Sequence, residues 1–151
     1  MTRARVIALG QTAAGDDGAG LAVLEALRRE GLPPAVELVH AADDSALVTL
    51  LATPAPVVLV DAVLGGTPGE VIELGPEQLD ARDVRPVSTH GLGVAQAIAL
   101  ARTLAPDTVS PAIRIVGITI APPARYLQAL SPAVAAAIPR AVDRVRALVE
   151  R

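Results

Sequence analysis

The 151-residue chain contains no cysteine, tryptophan, phenylalanine or lysine, and its one aromatic side chain is Tyr126. Without cysteine there are no disulfides, thiolate metal sites, iron–sulfur clusters or cysteine nucleophiles. Without aromatics the core has to be packed from Ala, Val, Leu and Ile. Positive charge comes from arginine only, and the net charge is −3 with no basic run. Nucleic-acid binding needs clustered cations that displace counterions, so no nucleic-acid partner is expected. No apolar run reaches the ~18 residues that span a bilayer. Met1–Arg5 leads directly into a strand-like segment, not into the apolar centre of a signal peptide. No membrane association is expected, and the chain reads as a soluble cytoplasmic protein.

What is present is apolar and patterned. Apolar residues make up 52% of the chain and charged residues 19%, a globular composition. The length suits one domain, residues 1–151, with a single core. Strands are expected at 3–10, 36–39, 57–60, 70–74 and 113–120. The run Val57-Val58-Leu59-Val60 has no polar alternation, which predicts a central strand buried on both faces and ended by Asp61. The segment 70–74 is more polar and reads as an edge strand. Helices are expected at 16–30, 44–51 and 91–104, with a last one starting at Ser131-Pro132. Gly31 is a stop signal for the first, Asp43 or Asp44 a cap for the second, and Pro139 should kink or split the last. Residues 76–85 read as irregular with one helical turn. Strands alternating with helices predict a single three-layer α/β/α domain, with a twisted, mostly parallel sheet of about five strands.

The stretch that organises the chain runs from Val6 to Gly20: a buried strand, a loop bracketed by Gly10 and Gly15, and the acidic pair Asp16-Asp17 where a helix begins. Gly10 and Gly15 have the spacing of P-loop glycines, but the Lys and Ser/Thr of that motif are replaced by two acids. A phosphate there would meet negative charge. Gly15, Gly18 and Gly20 read G-x-x-G-x-G, which is not the dinucleotide fingerprint. One acid suffices to cap a helix, so Asp16 accounts for the cap and Asp17 is left over.

Two further residues stand out. Asp61 follows an aliphatic strand, at the edge where open α/β sheets bind ligands. His90 lies at the expected start of a helix, where the dipole favours the neutral imidazole that a metal ligand requires. His40, the chain's other histidine, ends the second strand and is read as a supporting or loop element. Two carboxylates and an imidazole suit a divalent transition metal. There is no G-x-S-x-G elbow and no H-E-x-x-H. Asp16 and Asp17 are adjacent and point in different directions, which argues against an aspartic dyad.

These segments resemble the hydrogenase maturation endopeptidases. The resemblance runs through Ile7–Gln11, Asp16–Gly20, Val57–Ala62, Ser88–Gly93, Ile115–Ile118 and the helix start at Leu130–Pro132. It covers nearly the whole chain in order. It implies a twisted, mostly parallel sheet between helices. It also implies cleavage of a C-terminal extension from the large-subunit precursor of nickel–iron hydrogenase, after nickel insertion. The residues that recognise nickel fall by motif on Asp17, Asp61 and His90, which would serve as both metal-contacting and catalytic residues. The metal is carried by the substrate, and cadmium or zinc could occupy the same site. A monomer is expected. Three positions depart from the family pattern: Gln11 in place of Asn, His40-Ala41-Ala42-Asp43 in place of an acid followed by Gly-Gly-Thr, and the missing acid after Ile120. A non-catalytic maturation chaperone or metal-sensing module on the same fold is the alternative.

Overall fold

The computed structural model describes residues 3–10, 18–79, 85–86, 93–121 and 129–150. Within these the chain runs β1 (Ala4–Ala8), α1 (Ala19–Glu30), β2 (Val36–His40), α2 (Asp44–Leu50), β3 (Val57–Leu64), β4 (Val71–Leu74), a 3-10 turn (Pro76–Gln78), β5 (Arg85–Pro86), α3 (Val94–Leu104), β6 (Ile113–Ile120) and α4 (Pro132–Val149). The strands form one sheet in the order β2-β1-β3-β6-β4, with β5 attached to β3. The pairs β1–β2, β1–β3 and β3–β6 are parallel. β4 takes the edge beside β6, as expected of the polar segment, and it pairs there antiparallel.

Strand alternation divides the core into two layers. Val6, Val58, Val60, Ala62, Val116 and Ile118 face α1 and α4. Ile7, Leu9, Val57, Leu59, Ile113 and Ile115 face α2 and α3. α1 supplies Val23 and Leu27, both fully buried, at the spacing of one helical face. Gly31 ends α1 at φ +84, a conformation that glycine adopts without a Cβ penalty, and its N–H returns to Leu27 O at 2.8 Å. The expected three-layer α/β/α architecture is the one observed.

Several boundaries differ from expectation. β1 ends at Ala8 rather than Gly10, and α1 begins at Ala19 with Gly18 at its N-cap rather than at Asp16. β3 does not stop at Asp61 but continues to Leu64. Its pairing with β6 extends from Val57↔Ile113 to Leu64↔Ile120, so the ladder carries the strand through the charged position. α3 begins at Val94, and the expected helical residues Gly91 and Leu92 lie outside the described residues. α4 is continuous through Pro139. Proline removes one backbone donor, the partner of the Ala135 carbonyl. Both residues are exposed, so water can satisfy that carbonyl. The two-residue β5 was not expected at all.

Candidate active site

Asp61 is 2% exposed, on the strand at the middle of the sheet. Its place is defined by where its neighbours stop. β1 pairs with β3 only as far as Val60, with Leu9 N–H donating to Val60 O at 2.9 Å. β5 pairs with β3 from Val63 onward. Because β6 occupies the other edge along the whole strand, β5 must lie on the β1 side, beyond the end of β1. Asp61 and Ala62 therefore occupy a gap in the ladder between β1 and β5. The Ala62 N–H turned towards that gap is satisfied by Asp61 Oδ1 at 2.8 Å. A buried carboxylate is tolerated only when polar partners compensate its desolvation, and this N–H is one of them.

By alternation with Leu59, Asp61 lies on the α2/α3 face. Its registered neighbour there is Gly117 on β6. The parallel strands place the first turns of α1 and α3 at the same end of the sheet, at the strands' carboxyl ends. α1 approaches very closely. A Cβ on Gly20 would lie 2.5 Å from Leu9 O and 2.6 Å from Val60 O, so only glycine lets the helix rest on the ends of β1 and β3. The residue after Val60 is Asp61, and the residue three before Gly20 is Asp17.

His40 ends β2 and lies on the other face from Asp61, since its β1 partner Ala8 alternates with Val6. It is exposed, and its Nε2 is 2.6 Å from Gly10 O. Asp43 is the cap of α2, accepting from Ala46 N–H at 2.7 Å. Asp44 opens the first turn of α2, where burial and then the Asp43 carboxylate raise its carboxyl pKa above the ordinary value. The acids after β2 thus serve the start of α2.

Of the three residues selected from the sequence, Asp61 is described; Asp17 and His90 lie outside the described residues, as does Asp16. Among the described residues no three Asp, Glu, His or Cys side chains cluster as a metal site. Sequence reasoning missed Gly20 and Gly117 as packing partners of the site. Gly20 had a signal, because a glycine in the first turn of an apolar helix often marks close backbone approach. Thr119 was also missed. It is 1% exposed and its hydroxyl donates to Thr67 O at 2.6 Å and accepts from Glu70 N–H at 2.8 Å, fixing the turn after β3. A cavity of about 710 Å³ lies at the opposite end of the sheet, between the loops that precede β3 and β6. Thr53, Ser110 and three prolines line it, and Asp107 is its one charged residue.

Comparison with known proteins bears on the family and the fold. Residues 21–147 fit the family model described as HycI, hydrogenase maturation protease. Protein FrxA of Pyrococcus furiosus is 30% identical over 138 residues, covering 89% of this chain and 96% of that protein. The fold is shared with the hydrogenase maturating endopeptidase HybD of E. coli, with a TM-score of 0.79, 24% identity and coverage of 99% of this chain and 93% of that one. It is also shared with the nickel–iron hydrogenase maturation protease HybD of Thermococcus kodakarensis, with a TM-score of 0.76, 26% identity and coverage of 98% and 99%. The chain belongs to the hydrogenase maturation protease family and is, by that membership, a peptidase.

Proposed function

We propose that this protein removes the C-terminal extension of a nickel–iron hydrogenase large-subunit precursor after nickel has been inserted, recognising the substrate-borne metal through Asp17, Asp61 and His90. The observation that carries the reading is Asp61, an acid 2% exposed among aliphatic neighbours at a gap in the sheet. Packing alone favours Val or Ile there. Gly20 supports the convergence: it holds the start of α1 against Val60, so that Asp17 is three residues from a backbone contact beside Asp61. Two carboxylates and a neutral imidazole are a donor set suited to nickel, and equally to zinc or cadmium. A metal presented there would polarise the scissile carbonyl or activate water. The same reading places the protein in the cytoplasm as a monomer, with the precursor as its partner.

The test is alanine substitution at Asp17, Asp61 and His90, each variant being checked for folding by circular dichroism. Nickel-loaded precursor from the same organism is then incubated with each variant and weighed by mass spectrometry. Wild-type protein should release the C-terminal peptide and the three variants should not. Normal processing by all three would refute the assignment. One observation favours the alternative, a chaperone that binds the precursor without cutting it. The loop after β2 carries His40-Ala41-Ala42 ahead of its first acid, and that acid, Asp43, caps α2. Stable binding by wild-type protein without loss of mass would select that alternative.

A further inference from the structure

The cavity before β3 and β6 takes no part in the reading above. It lies beyond Val57, which is itself ~13 Å along β3 from Asp61. Two loops form it, one after α2 and one after α3, and the Ser110 N–H ties them by donating to Leu51 O at 2.8 Å. Its walls are poor in hydrogen-bond donors. Pro54, Pro106 and Pro111 have no N–H. The Thr53 N–H also donates to Leu51 O, and the N–H groups of Thr108 and Val109 donate to Ala105 O. The hydroxyl of Ser110, a residue 4% exposed, donates to Ala55 O at 2.7 Å. The hydroxyl of Thr53, 5% exposed, accepts from Ala55 N–H at 3.2 Å and keeps a lone pair open to a ligand. Asp107 adds a negative charge and forms no ion pair among the described residues. An anion would be repelled there. A cation rich in N–H donors, carried on an aliphatic stem, fits: the proline rings face the stem and Asp107 meets the head. That is the chemistry of an arginine or lysine side chain.

A second observation extends the site. Leu100 and Leu104 are the large apolar side chains exposed among the described residues, at 38% and 69%. They are four apart, on one face of α3, and Leu104 is two residues before Pro106 in the cavity wall. An apolar shelf therefore leads up to an acid-rimmed cavity, which is more surface than a small free cation covers. We propose that this end of the sheet docks the precursor, the cavity taking an arginine or lysine of its folded body and Leu100 and Leu104 the apolar surface beside it. This rests on the proposed function for the identity of the partner. The site is remote from Asp61, so it contributes to holding the precursor and not to the chemical step.

The test compares wild-type protein with Asp107→Asn, Asp107→Arg and Leu104→Ser, all exposed positions whose melting temperatures should stay unchanged. Cleavage kinetics and binding by interferometry are both measured on nickel-loaded precursor, at low and high salt. Asp107→Asn should raise KM and Kd about threefold, as loss of one exposed ion pair does. Charge reversal in Asp107→Arg should raise them about tenfold, and Leu104→Ser about fivefold. In each variant kcat should be that of the wild type, because only uniform binding is lost. Added salt should weaken binding by the wild type more than by Asp107→Asn. Wild-type KM and Kd in Asp107→Arg, or a fall in kcat at unchanged KM, would overturn the proposal. So would a wild-type dimer that Leu104→Ser dissolves, since the face would then belong to a second copy. The two readouts separate this proposal from the one it rests on. Cleavage by the wild type with an unchanged Kd in Asp107→Arg defeats the docking site alone. Binding by the wild type without cleavage, weakened in Asp107→Arg, defeats the proposed cleavage and supports the docking site.

Discussion

Asp61 and Gly117 stand beside each other on β3 and β6, in register and on the same face of the sheet. A Cβ on Gly117 would lie 3.1 Å from Ile72 Cγ1 and from both Val63 methyls. The missing side chain lets Val63 and Ile72 close over β6 next to the carboxylate. Gly117→Ala should lower unfolding free energy by about 1–2 kcal/mol, through overpacking of a filled core. Chemical denaturation measures it, and an unchanged midpoint would mean that Val63 and Ile72 have room to move.

Gly20 presents a harder constraint, because the atoms facing it are backbone carbonyl oxygens of Leu9 and Val60. Those strand ends cannot rotate away as a side chain can. Gly20→Ala should cost about 3 kcal/mol, at the upper end for overpacking. Gly31→Ala has open space around it and only its backbone, at φ +84 and ψ +145, to oppose it, so its cost should be about 2 kcal/mol. Thermal melts of the two variants should rank in that order.

Thr119→Val keeps shape and removes the hydroxyl that joins Thr67 O and the Glu70 N–H. Leaving those groups without this partner should cost about 2 kcal/mol. Gly69, whose N–H donates to Thr119 O, should then show faster amide exchange than in the wild type.

Burial, and then the charge of Asp43, raise the carboxyl pKa of Asp44. The folded protein thus holds that proton more tightly than the unfolded chain. The resulting stability is fully present below the ordinary carboxylate pKa and is lost as pH rises through the raised folded value. Asp43→Asn keeps the oxygen that accepts from Ala46 N–H but removes the charge, so Asp44 should titrate lower by carbon-13 NMR. Asp43→Ala should also lower the Asp44 pKa while costing about 1 kcal/mol for the lost cap.

Pro139 is exposed in the middle of α4. Pro139→Ala restores a donor for the Ala135 carbonyl and should stabilise the protein by about 1–2 kcal/mol, less than the full helix-interior penalty of proline because the helix already accommodates it. A lower melting temperature would show that the proline fits a bend needed for packing.

The sequence was most informative where pattern and punctuation agreed. The run from Ile113 to Ile120 is aliphatic and bracketed by Pro111 and Pro122, and β6 has those bounds. The edge position of β4 followed from its polarity. Asp61 was read as the end of its strand, whereas β3 continues through it to Leu64. A charge usually marks the end of a buried run, and here the long ladder to β6 overrides that signal. β5 is two residues long and contains Pro86, too little for any periodicity. The separation of His40 from Asp61 onto opposite faces depends on register between strands, which a linear pattern does not encode. The short contact from His40 to Gly10 is likewise a product of the β1–β2 pairing, and nothing in either local sequence announces it.

The place of β4 has a consequence for how the chain is made. Among its described pairings, β4 is held in the sheet by β6, a strand synthesised nearly 40 residues later. β6 also covers the whole open edge of β3, including the partner position of Asp61. A growing chain that has reached β4 therefore lacks the strand against which both β3 and β4 must dock. Non-local pairing of this kind is slow to form. The sheet around Asp61 should close in one late event once β6 has emerged, so that a ribosome-bound chain ending before Ile113 carries the central acid without the strand that completes its surroundings.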